Sequence, residues 1–304
     1  MSFFNKKKIL VTHNGTFHSD DLFTTAALSI IFNGNIKVIR TRDPRLIESA
    51  DVVYDVGGVY DPKTNRFDHH QKEGGGIRPN GIPFSSFGLV WKTYGEKICN
   101  DKEVADKIDQ KIVQPIDARD NGVDISKPIF DGVVSYEADQ VFLNYKPTWK
   151  EYNKDVDSIF KKQVKKVKEL LLREIEVAKT DVEGENIIFD SYQNSSNKQI
   201  VILKNDFPRY LYQGTLSKFP EPIYVVFPSG HNDMWKVEAI RKSPDTMENR
   251  KLFPESWRGF SNEDSKLKEI TGVSDVSFCH RGGFLIIAFS KEGAIKLAEK
   301  ALLA

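Results

Sequence analysis

An alternation in the first quarter of the chain constrains the fold most: three short apolar runs are separated by stretches of helical or turn character. Ile9-Leu10-Val11 opens into a polar loop from Thr12 to His18, and Leu22 to Phe32 then carries apolar residues at helical spacing. Ile36 to Ile39 forms a second run. Asp43-Pro44 opens a short helix, and Val52-Val53-Tyr54 forms a third run ending at Asp55-Val56-Gly57-Gly58. Strands that alternate with helices pair in parallel, because the crossover must return the chain to the end where the previous strand began. The expected fold class is α/β, a parallel sheet with helices on both faces.

Beyond a hairpin-like stretch from Pro62 to Phe67, the apolar residues Val104, Ala105, Ile108, Ile112, Val113 and Ile116 trace one helical face. A further helix from Ile159 to Ala178 is predicted to end near Asp181-Val182-Glu183-Gly184-Glu185 and to connect two domains. Strands then return at Ile200 to Leu203, Ile223 to Phe227, Trp235 to Ile240, Val276 to Cys279 and Phe284 to Phe289, before a helix from Lys291 to Leu303. A chain of 304 residues holds two ordinary domains. We place them at 1–185 and at 186–304, the second a smaller α/β domain, with the cleft between them as the expected substrate site.

Composition bounds the function classes. Hydrophobic residues at 39% and charged residues at 29% describe a soluble globular protein, and no apolar run is long enough to span a bilayer. Forty-four Lys and Arg against 43 Asp and Glu set up no global field for a polyanion, so phosphate binding has to be local. The basic Lys6-Lys7-Lys8 cluster precedes only a short apolar run, unlike a secretory signal. Cys99 and Cys279 are too few for a disulfide framework, which points to an intracellular, cytoplasmic setting.

Four of the six histidines, His13, His18, His69 and His70, sit in the first quarter of the chain, each near aspartates at the ends of expected strands. In open parallel sheets functional groups collect past the carboxyl ends of strands, where loops converge. Three segments meet that condition: Thr12 to Asp21, which holds Asp20 and Asp21; Asp55, with Gly57 and Gly58 permitting a close turn; and Asp68-His69-His70. Asp117-Ala118-Arg119-Asp120-Asn121-Gly122 offers further carboxylates, and Asp120 is favoured over Asp117. Mixed imidazole and carboxylate donors suit manganese, iron, cobalt or zinc better than calcium. With this many ligands a pair of ions is the economical arrangement, and two ions about 3.5–4 Å apart are the apparatus of phosphoester hydrolysis.

Taken together, His13 to Asp21, Phe67-Asp68-His69-His70-Gln71, Ser85 to Trp91 and Ile116 to Gly122 resemble the melanocyte-proliferating-gene-one family, a metal-dependent hydrolase branch of the DHH phosphoesterase superfamily. The resemblance continues through Arg250 to Gly259 and Phe278 to Phe284, and so covers nearly the whole chain. It implies a DHH-type domain holding two divalent ions, manganese with magnesium, cobalt or zinc as alternatives, and a carboxy-terminal domain that grips substrate. By motif, His13, His18 and Asp55 would bind one ion, and Asp20, Asp55, His69 and Asp120 the other. Asp68 would orient its neighbours, and His70 would face the phosphate or protonate the leaving oxygen. The first motif departs from the superfamily pattern in the His18-Ser19-Asp20 spacing from His13, and Phe284-Leu285-Ile286-Ile287-Ala288 replaces a glycine-containing stretch.

The resemblance further implies 3′-to-5′ exonuclease action on RNA or short oligonucleotides, with a homodimer open. Hydrolysis of a small phosphate compound such as pyrophosphate or a dinucleotide is the alternative, and a non-catalytic metal-binding regulator the third reading. The expected substrate contacts are Arg78, Ser85, Ser86, Arg250, Arg258, His280, Arg281 and Gly283. Ser85 and Ser86 suit a helix cap and an anion site equally. Arg258 has Trp257 and Glu255 as rival partners. The lysines from Lys161 to Lys168 read first as a solvated helix face and second as an RNA track, and His231 as part of a surface turn without a role.

Overall fold

The computed structural model describes residues 6–230, 233–261 and 265–304; His231 lies outside them. Contacts divide the chain into two compact units, Met1–Lys179 and Thr180–Ala304. Each unit is built on its own five-stranded sheet.

In the first unit, β1 (Lys8–Thr12), β2 (Ile36–Arg40), β3 (Val52–Tyr54), β4 (Tyr60–Asp61) and β5 (Arg66–Phe67) lie in the order β2-β1-β3-β5-β4. The pairs β1–β2, β1–β3 and β3–β5 are parallel, and only the edge strand β4 runs antiparallel. Leu10 and Val11 of β1 are fully buried, as an inner parallel strand demands. Helix α1 (Ser19–Ile31) forms the first crossover and packs on α3 (Ser86–Cys99); α2 (Pro44–Ser49) forms the second. Asp43 caps α2 and Pro44 stands at its start, where a missing amide hydrogen costs nothing.

The apolar face read between Val104 and Ile116 is carried by α4 (Lys102–Ile108), a π-helical turn (Asp109–Val113) and α5 (Gln114–Asp120). Pro115 has no amide hydrogen and crowds the carbonyl four residues back; the wider π turn accommodates it. A short helix, α6 (Gln140–Leu143), interrupts the irregular chain that leads to α7.

Helix α7 (Val156–Gln193) overturns one expectation: it passes straight through the Asp181 to Glu185 region, where an end was predicted. A glycine inside a helix costs only about 1 kcal/mol. Burial of Val182, Ile188 and Tyr192 on the continuing stripe outweighs that cost.

In the second unit, β6 (Ile200–Ile202), β7 (Tyr224–Pro228), β8 (Trp235–Ala239), β9 (Val276–Cys279) and β10 (Leu285–Ala288) lie in the order β6-β7-β8-β10-β9. Only β6–β7 is parallel. Alternation along β7 fills two cores. Tyr224 and Val226 join Leu297 and Ala301 of α10 (Lys291–Leu303), with Leu267 of α9 (Ser265–Thr271). Val225 and Phe227 join Ile188 and Tyr192 of α7, with Leu211 and Leu216 of α8 (Arg209–Leu216). Among the described residues no helix is long and apolar enough to cross a membrane.

Candidate metal centre

Because β1, β3 and β5 are neighbouring parallel strands, the residues just past their carboxyl ends share one edge of the sheet. His13 follows β1, Asp55 follows β3, and Asp68-His69-His70 follow β5. Asp20 and Asp21 enter the same edge on the first turn of α1, where the helix dipole favours negative charge. Asp120 closes α5.

His13 is buried; its Nδ1 lies 3.0 Å from the Asn14 carbonyl oxygen, which leaves Nε2 to face Asp55 Oδ2 at 3.1 Å and Asp21 Oδ2 at 3.3 Å. Burial lowers its proton affinity, but the Asp21 and Asp55 carboxylates outweigh this and push it up to about 10. Carboxylates that favour a proton on this imidazole favour a cation in the same place. Asp55 holds a left-handed backbone, φ +56°, unusual for a residue with a side chain. Its Oδ1 faces His69 Nδ1 at 3.8 Å while Oδ2 faces His13, so one carboxylate addresses both sides of the cluster. His69 Nε2 meets Asp120 Oδ2 at 3.0 Å.

Asp20 is fully buried, and burial followed by the neighbouring charges of Asp55, Asp120 and Asp21 raises its proton affinity well above the usual carboxylate range. One of its oxygens accepts a hydrogen bond from Ser86 Oγ at 2.7 Å; the other has no partner. Asp21 Oδ1 accepts the His18 amide at 3.0 Å and holds the start of α1. Among the described residues, His13 Nε2, Asp20 Oδ1, Asp21 Oδ2, Asp55 Oδ2 and His69 Nδ1 are buried without a hydrogen-bond partner. Buried polar groups are almost always partnered, so five such atoms gathered on one sheet edge form a cluster that could hold a bound ion. Potential donor atoms lie within 4.8 Å of one another in three sets: His13, His18 and Asp55; His18, Asp20 and Asp120; and Asp55, Asp68, His69 and His70. These residues fit one or more divalent cations of the manganese, iron, cobalt or zinc type.

Asp68 differs from the others in being fully engaged. Burial raises its proton affinity, but hydrogen bonds from the His70 ring (2.7 Å), the Gly58 amide (2.5 Å) and the His70 amide hold its carboxyl down at about 2. It also accepts the His69 amide at 2.8 Å, so it orients both histidines. His70 is exposed, and the hydrogen bond to Asp68 raises its proton affinity despite partial burial.

Asp117 stands apart from the cluster. Its Oδ2 accepts from Arg78 Nη1 at 2.6 Å, and its Oδ1 from Ser85 Oγ at 2.5 Å and the Gly88 amide at 3.0 Å; burial still pushes its carboxyl up to about 6. Any side chain at Gly88 would collide with it, a Cβ falling 1.9 Å from Asp117 Oδ2. Arg78, buried, adds Asp109 at 3.0 Å, and Ser85 caps α3. Ser85, Ser86 and Arg78 are thus committed to carboxylates of the protein itself. A cavity of about 490 Å³ beside Arg78, Phe84 and Trp91 holds none of the cluster side chains.

Of the residues expected at substrate in the second unit, Arg250 donates to the carbonyls of Pro222 (2.7 Å) and Ser217 (2.9 Å), and Arg258 to that of Phe253 (2.9 Å). Gly283 adopts φ +68°, and a Cβ there would lie 2.4 Å from Arg258 Nε. His280 accepts the Gly282 amide on Nδ1 at 2.9 Å, and Arg281 is exposed.

Two supports were not visible in the sequence. Arg40, at the end of β2, donates to the Gly15 carbonyl at 2.9 Å and pairs with Asp157, bracing the loop that carries His13 and His18. Asp139, buried, accepts from Ser19 and Arg119, the residues just before Asp20 and Asp120. A charged residue closing an apolar strand could have flagged Arg40; nothing local flags Asp139.

A family model described as Uncharacterised protein family (UPF0160), labelled for MYG1 exonuclease, matches residues 9–302. The chain is 30% identical to human MYG1 exonuclease over 96% of its own length and 85% of that protein. It is 30% identical to the MYG1 protein of Dictyostelium discoideum, over 96% of each chain. Against the MYG1 protein of Chlamydia trachomatis it is 31% identical, over 92% of each. No solved structure matches significantly. A family match spanning nearly every residue, with close to one residue in three shared across such distant organisms, shows that this chain belongs to the MYG1 exonuclease family.

Proposed function

We propose that the chain is a metal-dependent phosphoesterase of the DHH superfamily, acting as a 3′-to-5′ exonuclease on RNA or short oligonucleotides with two divalent ions, manganese foremost. The observation that carries the reading is the set of five buried, unpartnered donor atoms on one sheet edge. The name exonuclease borne by the mammalian relatives supports the same class.

Bound divalent ions would supply a water ionised near neutral pH and positive charge to offset the phosphoryl oxygens. His13, His18 and Asp55 would hold one ion, and Asp20, Asp55, His69 and Asp120 the other. Asp55 suits the shared position because its two oxygens face His13 and His69 separately. Ser86 fixes one oxygen of Asp20 and leaves the other for the ion. Asp68 takes His70 Nδ1, so the exposed side of the His70 ring is turned outward, where it can hand a proton to a leaving oxygen.

The test is hydrolysis of end-labelled RNA with manganese. Stepwise loss from the 3′ end is expected, abolished in Asp55→Ala and in His69→Ala. Unchanged rates in both variants would rule out the site, and turnover confined to pyrophosphate or dinucleotides would replace the substrate.

A further inference from the structure

In the first unit, exposed aromatic side chains concentrate in the chain between α5 and α7. Tyr145, Trp149 and Tyr152 are 53%, 85% and 90% exposed. Large rings left this open on a folded surface mark a place of contact. Lys166 Nζ stands 3.8 Å from the centre of the Tyr145 ring, and Lys150 Nζ 5.1 Å from the Trp149 ring. Lys146 is half-buried against Phe17 at 5.5 Å, and its ammonium group feels the carboxylates of Asp21, Asp139 and Asp20. From Tyr145 to Lys154, three lysines stand against one glutamate.

This segment is anchored to the metal centre. Asp139 ties it to Ser19 and Arg119, and Phe142 packs edge-on to Phe23 of α1 at 6.0 Å. Lys146 comes four residues after Phe142, so the basic, aromatic stretch begins near the carboxylate cluster.

We propose that Tyr145, Trp149 and Tyr152, with Lys146, Lys150 and Lys166, form a track for a single-stranded oligonucleotide leading to the metal centre. The inference rests on the phosphoesterase reading and adds its substrate form. Every base has a face that stacks on an aromatic ring, whatever the sequence, and lysines between the rings take the phosphates. A duplex keeps its base faces stacked inside, so the track selects single strands. Cations set against the rings fit a polyanion better than an apolar protein surface.

Trp149 supplies its own reporter, since Trp91 and Trp257 are buried and Trp235 partly so. The manganese-loaded full chain is titrated with a labelled, phosphorothioate-linked single strand of about 12 nucleotides, which resists cleavage and spans such a track. Quenching of tryptophan emission is expected on binding. Trp149→Ala should weaken binding about 10-fold, as for one lost stacked base, and Trp149→Phe should recover most of it. A duplex of the same sequence should bind at least about 10-fold more weakly. Unchanged affinity in both Trp149→Ala and Tyr152→Ala, equal affinity for duplex, or tryptophan emission that shifts with protein concentration alone would overturn the track. The last result would assign the face to a second copy of the chain. No bond is broken in this assay, so its outcome stands apart from the hydrolysis test.

Discussion

The sheet edge of the first unit and the Arg250 to Gly283 region of the second treat polar groups in opposite ways. On the sheet edge, five buried atoms lack a partner in hydrogen-bond geometry, and burial followed by neighbouring charges, Asp55 among them, raises the proton affinity of Asp20 and Asp21. In the second unit, Arg250 donates to two backbone carbonyls and Arg258 Nε to a third. Unsatisfied, mutually repelling groups destabilise a fold unless a ligand completes them, whereas satisfied ones contribute to it. The sheet-edge cluster is read from histidines and aspartates at strand ends and the second region from motif resemblance; in the fold the two differ in how their polar groups are partnered.

The contrast can be broken most sharply at Asp55. Asp55→Ala removes the carboxylate that faces both His13 and His69, and turnover should fall by at least about 1,000-fold with bound metal lost, more than is usual for an outer-sphere partner. Metal content and turnover, measured together, check it. Ser86→Ala should act through Asp20 instead, lowering metal affinity about 10- to 100-fold while the fold persists; a metal titration by calorimetry reads this out. In the second unit the expectation reverses. Arg250→Ala should cost about 2–3 kcal/mol in denaturant unfolding, from lost bonds to two carbonyls, with metal content unchanged. A loss of activity at full stability would instead return Arg250 to the substrate.

A smaller effect tests the engaged member of the cluster. The Asp68 carboxyl lies at about 2 in the folded protein and near 4 in an unfolded chain, so it stabilises the fold above about pH 4, and that contribution disappears as the pH falls toward 2. Asp68→Asn should therefore cost about 1–2 kcal/mol near neutral pH in metal-free protein, and the gap from wild type should close on acidification. Unfolding curves across that range decide it, and a gap independent of pH would contradict the assignment.

Much of the sheet edge was legible because its signals are local. Apolar runs such as Ile9-Leu10-Val11 and Val52-Val53-Tyr54 end in His13 and Asp55, and parallel pairing of β1, β3 and β5 does the rest. What was not legible depends on contacts remote in sequence. Charges and a glycine near 184 imitate a helix end, but the core beneath α7 carries the helix on to Gln193. Helix α8 is too short to announce itself by periodicity, although Leu211 and Leu216 are buried. Asp139 sits in irregular chain and gains its role only by meeting Ser19, 120 positions away. The sequence favours Asp120 over Asp117 but does not show their partners: the fold turns Asp117 toward Arg78 and Asp120 toward His69.

Where cations settle is decisive for the two-ion reading of the sheet edge. Anomalous diffraction from manganese-soaked crystals should show two peaks, one against His13, His18 and Asp55, the other against Asp20, Asp55, His69 and Asp120. Peaks elsewhere in the chain, or none touching Asp55, would contradict it.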